Sequence, residues 1–510
     1  MDYTNIPIEK FAFADKNGRL GDKKLETKPV SYAKDVWRRF CKNKSSVVAA
    51  GIIAILILFA ILVPIFFANN YTANPRDTKY LQYKRLTPKV SAFAGLGFWD
   101  GCKDMTFNKD DYNYWSAVEA ECGDKIMAKI YSSEYKKAGS NTTYFDVKFD
   151  TYTGNGFTFI GLTYDEYKDI QEWQKETGIQ VIYPAVSSDT NIIPANQQSD
   201  ANIYFKAKRN GAPELDKNGN VVLAYLTEGI DDEYDSIRIK GDDGSYKYAK
   251  VSITDGGATS YTVRVYKYDY FRYRYGFEPA FVFGTNDLGH DILTRLASAA
   301  RFSLIFAVCI SAINLFIGAI IGAAEGYYGG ILDLIVERII DILGGVPSMV
   351  VMSLFQLHLA HKIGAIPSMF FAFVLTGWIG MSARTRMQFY RFKRQEYVLS
   401  ARTLGASDAR LMFKHIFPNA MGTLITGSVL SIPGVIFSES SLTYLGIVNL
   451  DSSTQTSVGT MLANSRGAIS TAPHIVLFPA LFIALLMISF NLFGNGLRDA
   501  FNPSLKGVED

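Results

Sequence analysis

The 510-residue chain has few of the groups on which enzymes are built. Its histidines number five (His290, His358, His361, His415 and His474), and none stands with a nucleophile in a pattern that would assemble acid–base or covalent catalysis. No Gly-Lys pair occurs, so the phosphate cradle G-x-x-x-x-G-K-[ST] is missing and ATP is not expected to bind here. The four cysteines are too few for a disulfide-built scaffold and show no C-x-x-C spacing, so no metal site is expected. A net charge of +3 says little by itself, and no nucleic-acid partner is expected. From about Tyr71 to Pro279 the chain also lacks any apolar run long enough to cross a bilayer.

Elsewhere such runs recur. The first, Val47 to Ala68, reaches roughly 33 Å as a helix, starts too late and runs too long for a cleavable signal peptide, and tolerates Pro64 near its far end. Further runs lie at Phe302 to Ala324, Leu343 to Ala360 with an amphipathic lead-in from Ile331, Ile366 to Met381, Asn419 to Gly446, and Ile475 to Gly494. That predicts a polytopic α-helical membrane protein with six transmembrane helices. Lys34, Arg38, Arg39, Lys42 and Lys44 precede the first span and place the N-terminus in the cytoplasm. The stretch DVWRRFCKNK there reads either as an interfacial amphipathic elbow or as a disordered basic flank. Counting crossings puts the loop with Arg384, Arg386, Arg391, Lys393, Arg394, Arg402, Arg410 and Lys414 inside, while the last outer loop, Asn449 to His474, has Arg466 as its one basic residue.

The resulting division is a cytoplasmic tail with elbow helix (1–45), a first span (46–70), an extracytoplasmic α+β insertion (71–280), a five-helix membrane domain (281–497) containing a cytoplasmic loop (388–418), and a cytoplasmic tail (498–510). In the insertion, NVVLAYL, SIRIK, YKYAKVSI and YTVRVYKYDYF alternate like half-buried strands, with GDDGS and TDGGATS as turns. Thr163 to Gly178 reads as a capped helix. Cys102 and Cys122 both fall in this domain, and either a disulfide between them or two separate buried thiols is consistent with that. Asp333, Glu337 and Asp341 share one helix face of the third span, with Arg338 spaced to pair with Asp341, which reads as an interfacial salt-bridge cluster in preference to a transport site.

The loop stretch EYVLSARTLGASDARLMFKHIFPN is charged and helix-forming, yet it lies between two spans. Tyr397, Val398, Ala401 and Leu404 share a helical face, and Gly405 stands at a left-handed stop. Ser407 caps a second helix whose Leu411, Met412 and Ile416 fall on one side before Pro418 ends it. Two short helices joined at a glycine corner cannot bury both faces alone. They imply either a partner on that side or an amphipathic pair lying on lipid.

The segment resembles the EAA loop of ABC importer permeases, whose pattern is E-A-A, three residues, Gly, nine residues, then I-x-L-P. Here the aligned positions are Leu399-Ser400-Ala401, Gly405 and His415-Ile416-Phe417-Pro418. Leu399 stands where the family has glutamate and His415 where it has isoleucine; Glu396, one turn earlier, offers a substitute carboxylate. Phe283 to Leu304, RIIDILGGVPSMVV, and Phe490 to Leu505 are similar to signatures of the OppC/DppC-type permeases of oligopeptide, dipeptide and nickel uptake. The resemblance leaves out the insertion and implies the type I ABC importer permease fold, in a bacterial plasma membrane. It further implies an OppB-type permease partner, two cytoplasmic ATPase subunits that hold the ATP and Mg, and an extracytoplasmic substrate-binding protein. ATPase coupling would then fall to Glu396, Leu399, Ser400, Ala401, Arg402, Gly405, Ala406, Ser407, Asp408 and Pro418. Asn314, Ser438, Glu439 and Asn491 are candidates for the translocation pathway, or for helix–helix hydrogen bonds, with Glu439 placed to meet the amino terminus of a peptide. The tyrosine-rich insertion suits a platform for the binding protein or a passive contact with the partner permease. A secondary transporter or channel, and a membrane-anchored receptor, are the competing classes.

Overall fold

The computed structural model describes residues 32–67, 81–136, 142–183, 215–219, 249–253, 257, 259–450 and 456–501. The described residues begin with two helices, α1 (Tyr32–Lys42) and α2 (Lys44–Phe66), separated by Asn43, whose side chain accepts the Ser46 N–H. The elbow stretch is therefore a helix: Val36 and Phe40 of α1 pack against Phe493 and Ala500 near the end of the chain, while Trp37 stays exposed.

The α+β domain contains β1 (Cys102–Asn108), α3 (Lys109–Cys122), β2 (Met127–Lys136), β3 (Thr143–Asp150), β4 (Phe157–Leu162), α4 (Tyr164–Thr177), β5 (Ile182–Tyr183), β6 (Ala249–Ile253), β7 (Thr259–Tyr266) and α5 (Lys267–Tyr275). One antiparallel sheet has the order β1-β3-β2; in the other, β7 pairs with β4, β5 and β6. The Thr163 cap is a full capping box with Glu166, and Gly178 closes α4 at φ +73°. Strand β7 departs from the half-buried reading, since Val263, Arg264, Val265 and Tyr266 are all buried. Val263 and Val265 pack with Ile170 of α4, and Tyr266 joins a second core with Phe107 and Phe149 of the other sheet. The strands read at NVVLAYL and SIRIK lie outside the described residues.

Cys102 and Cys122 are separate thiols, so the disulfide alternative is corrected. Each Sγ points to a carbonyl in its own neighbourhood, Asp100 O at 3.8 Å and Asp124 O at 3.9 Å. Burial pushes both thiols up to about 12, which keeps them protonated and unreactive.

Across the two cores runs one fully buried ion pair: Arg264 Nη1 and Nη2 donate to Glu121 Oε1 and Oε2 at 2.8 and 3.0 Å, with the guanidinium 3.9 Å from the Phe157 ring centroid. Glu121→Gln leaves the cation buried without its counter-charge and is expected to destabilise the domain by about 3–5 kcal/mol, whereas replacing both partners by apolar side chains costs far less. Thermal unfolding of the purified protein, followed by tryptophan fluorescence, checks this; coincident curves for Glu121→Gln and the parent would refute it.

Eight α-helices follow among the described residues: α6 (Ile292–Tyr328), α7 (Gly330–Gly344), α8 (Ser348–Ile363), α9 (Ala365–Phe392), α10 (Glu396–Thr403), α11 (Asp408–Tyr444), α12 (Val458–Asn464) and α13 (His474–Phe501). Five helices among the described residues, α2, α6, α9, α11 and α13, are long and apolar enough to cross a membrane. The third apolar run is broken at Gly345-Val346-Pro347 into α7 and α8, of 15 and 16 residues, because a proline disfavours helical backbone in the residue before it. The central core draws Ala60 from α2, Leu296, Ala300 and Ala307 from α6, Ile436 from α11, and Phe482, Leu486 and Phe490 from α13.

A close helix contact joins α6 to α9. Gly318, Gly322 and Gly326 recur every fourth residue, and a β-carbon at 318 or 326 would lie 2.7 Å from the carbonyl oxygen of Trp378 or Arg386. At Gly322 it would run into the Ser382 carbonyl oxygen. Only glycine permits this backbone-to-backbone approach.

Candidate functional site: the glycine corner and a central cavity

Gly405 adopts φ +84°, and the chain around it closes α10 in a Schellman turn, with Ala406 N–H donating to Ala401 O at 3.1 Å and Gly405 N–H to Arg402 O at 2.9 Å. A β-carbon at Gly405 would meet nothing within 4 Å, so the glycine answers to backbone conformation and not to space. Ser400 Oγ donates back to Glu396 O at 2.8 Å, and Ser407 caps the next helix by accepting Arg410 N–H. Glu396 itself is exposed.

The inner side of this corner is well packed: Val398, Leu411 and Ile416 are fully buried against Tyr327 of α6 and Phe389 of α9. Its outer side mixes exposed polar residues, Ser407, Asp408, Arg410 and Lys414, with two large apolar ones, Leu404 at 89% and Phe413 at 69% exposure. The expected face of Tyr397, Val398, Ala401 and Leu404 is thus split. Val398 and Ala401 face the protein core, whereas Leu404, the residue at which the helix ends, has ψ near 6° and turns outward.

Pro418 does not end the second helix. The segment from Asp408 continues through it to Tyr444 as a single helix, because Leu411–Ile416 widens to a π-turn in which Phe417 N–H donates to Met412 O, and the proline follows in the next turn. The corner is therefore one short helix joined to an extension of a membrane-spanning helix.

Several residues that the motif reading passed over fix this arrangement. Tyr327 OH donates to Asp408 and accepts from Arg402 Nη2 at 3.1 Å, bridging the two arms of the corner. Lys393 Nζ donates to Gly326 O at 2.8 Å at the end of α6. Arg386 holds Asp333 through two hydrogen bonds, at 2.6 and 3.0 Å, and Glu337 at 2.6 Å. Asp341 pairs with Arg338 at 2.8 Å, as its spacing predicts. The carboxylates of Glu325, Asp333 and Glu337 gather within 4.8 Å of one another, with Glu325 Oε2 held by Ser382 Oγ at 2.9 Å and Arg386 neutralising the other two.

A cavity of about 360 Å³ opens between α6, α8, α9 and α11. Asn314 and Ser438 line it, together with Ser311, Arg384, Ser431 and Ser441, which the pathway reading did not single out. Glu439 and Asn491 do not line it. Glu439 is fully buried and accepts Ser303 Oγ of α6 at 3.2 Å, so it ties helices together and is closed to a peptide amine in this conformation. Asn491 is exposed and donates to Met487 O one turn back at 2.9 Å.

Comparison with known proteins matches both ends of the chain. A family model described as binding-protein-dependent transport system inner membrane component covers residues 314–507, and one for the N-terminal TM domain of oligopeptide transport permease C covers residues 31–88. The oligopeptide transport system permease protein OppC of Bacillus subtilis (strain 168) is 42% identical over 224 residues, 44% of this chain and 72% of that protein. The dipeptide transport system permease protein DppC of the same organism is 38% identical over 226 residues, 44% of this chain and 69% of that protein. That of Haemophilus influenzae is 35% identical over 235 residues, 45% and 77% of the respective chains. The chain belongs to the OppC/DppC-type permeases of ABC importers, and is a multi-pass membrane transport subunit rather than an enzyme.

Proposed function

We propose that this subunit, paired with an OppB-type permease, forms the membrane pathway of an importer for oligopeptides or dipeptides, driven by two ATPase subunits that dock on the Gly405 corner. One observation carries the reading: a rigid corner with bare apolar Leu404 and Phe413 runs without a break into α11, whose Ser431, Ser438 and Ser441 line the central cavity. Closure of the ATPases on ATP and Mg would shift the corner and repack the helices between inward-open and outward-open states.

In this reading α7 and α8 together make the third of six crossings. Both termini and the corner are cytoplasmic, supported by the basic residues that flank them. Residues 71–280 then lie outside, as a platform on which a substrate-binding protein delivers cargo; the binding-protein-dependent family supports such a partner. The test is reconstitution in proteoliposomes. Peptide uptake is expected with both permeases, the ATPases, binding protein and ATP present, and is lost when either the ATPases or ATP are omitted. Uptake by this chain alone, driven by an ion gradient, would overturn the reading.

A further inference from the structure

Between Lys89 and Asp100 the chain runs SAFAGLGFW, nine residues (Ser91–Trp99) without a charge. Three residues around its end turn left-handed: Gly97 at φ +81°, Trp99 at +52° and Gly101 at +83°. For a bulky residue such as Trp99 that conformation is strained and is kept only where the surroundings hold it.

The holding contact is with a membrane-spanning helix. The Trp99 ring lies nearly parallel to that of Phe478, 10° apart with centroids at 6.4 Å, and Phe478 in turn stacks on Phe283 at 4.0 Å. Phe478 is in the second turn of α13, where a stripe of exposed leucines, Leu477, Leu481 and Leu485, begins its run down the helix. Phe93 and Phe98 lie beside the Trp99 ring, at centroid distances of 6.4 and 6.3 Å, and stay 37% and 52% exposed. Lys148, at the base, donates to Gly97 O at 3.3 Å and pairs with Asp100.

We propose that the Ser91–Trp99 loop is seated in the interfacial layer of the bilayer, with Phe93 and Phe98 in contact with lipid on the side where α13 begins. Aromatic rings concentrate at the headgroup level because an apolar body and a polarisable face suit that layer. The loop is uncharged, and it is held at the start of a spanning helix that carries exposed leucines along its length; these two facts favour lipid over a protein cover. The seat would fix how the α+β domain stands on the membrane, whichever side that domain occupies.

The test uses the full chain in vesicles of phosphatidylcholine and phosphatidylglycerol, with Cys41 and Cys309 replaced by serine. Phe98→Cys, and separately Phe93→Cys, is labelled with an environment-sensitive fluorophore, and Lys168→Cys on exposed α4 serves as reference. Lipids bearing a quencher near the headgroup are expected to reduce emission from both loop sites by about half, with less effect from a quencher near the chain end and almost none at the reference site. Absence of lipid quenching overturns the proposal. With iodide reaching the label freely, that result would put the loop in water; with iodide excluded, it would put the loop under a protein partner.

Discussion

A Gly322→Leu substitution is expected to abolish recovery of folded protein from the membrane. The β-carbon alone would run into the carbonyl oxygen of Ser382, and Thr385 Cβ and Arg386 N lie only 2.8 and 3.0 Å from the same point. Two of these three neighbours are backbone, which no rotamer change can move aside. Overpacking a core commonly costs about 1–3 kcal/mol where side chains can give way, and here the helices themselves would have to separate. Separation would also strand Glu325, which reaches Ser382 across this same seam. Monodisperse protein after detergent extraction should fall at least about tenfold, with alanine intermediate, since the clash begins at the first added carbon. Gly51→Leu is the matched control, because a β-carbon there meets nothing within 4 Å. Equal yields for the two leucine variants would show that the α6–α9 approach is dispensable.

Leu404→Glu should leave folding intact and remove transport. Leu404 is 89% exposed, so the isolated subunit loses no packing when it is replaced. If the corner is the ATPase seat, the new carboxylate would be buried against an apolar groove without a partner, and central apolar anchors of interfaces contribute roughly 2 kcal/mol or more each. ATPase subunits retained on the purified permease pair should drop by more than about tenfold, and ATP-driven peptide uptake should drop with them. Phe413→Glu, at a site 69% exposed on the second arm of the corner, should behave alike. Undiminished uptake in both variants would move the coupling site elsewhere. Gly405→Val is the milder case, since open space surrounds its β-carbon and the penalty is confined to an unfavourable φ.

What could be read from the residues alone followed the range of the forces involved. Gly405, Ser407 and the Thr163 capping box act within a few residues, and their geometry followed from local rules. Tyr327 was invisible as part of the corner, because it meets Arg402 and Asp408 across 75 and 81 positions of chain, and Arg386 meets Asp333 across 53. Ser438 and Glu439 illustrate a second limit. Neighbouring residues on a helix point about 100° apart, so one can face a cavity and the next a packed seam, and hydropathy does not say which. Pro418 misled for a third reason. A helix-breaking residue is tolerated where the preceding turn is already widened, and nothing in the composition of Leu411–Ile416 announces a π-turn.

That unbroken passage through Pro418 gives α11 37 residues, roughly 55 Å of continuous helix at about 1.5 Å per residue. It is pinched near its middle, where Gly422 meets the Phe501 ring and Gly427 meets the Arg384 side chain. A rod with such a fulcrum behaves as a seesaw: a push on Asp408 at one end returns as an opposite displacement of Ser438 and Ser441 near the other. Alternation between two openings would then combine a tilt about those two glycines with any bend taken up at Pro433, inside the same helix.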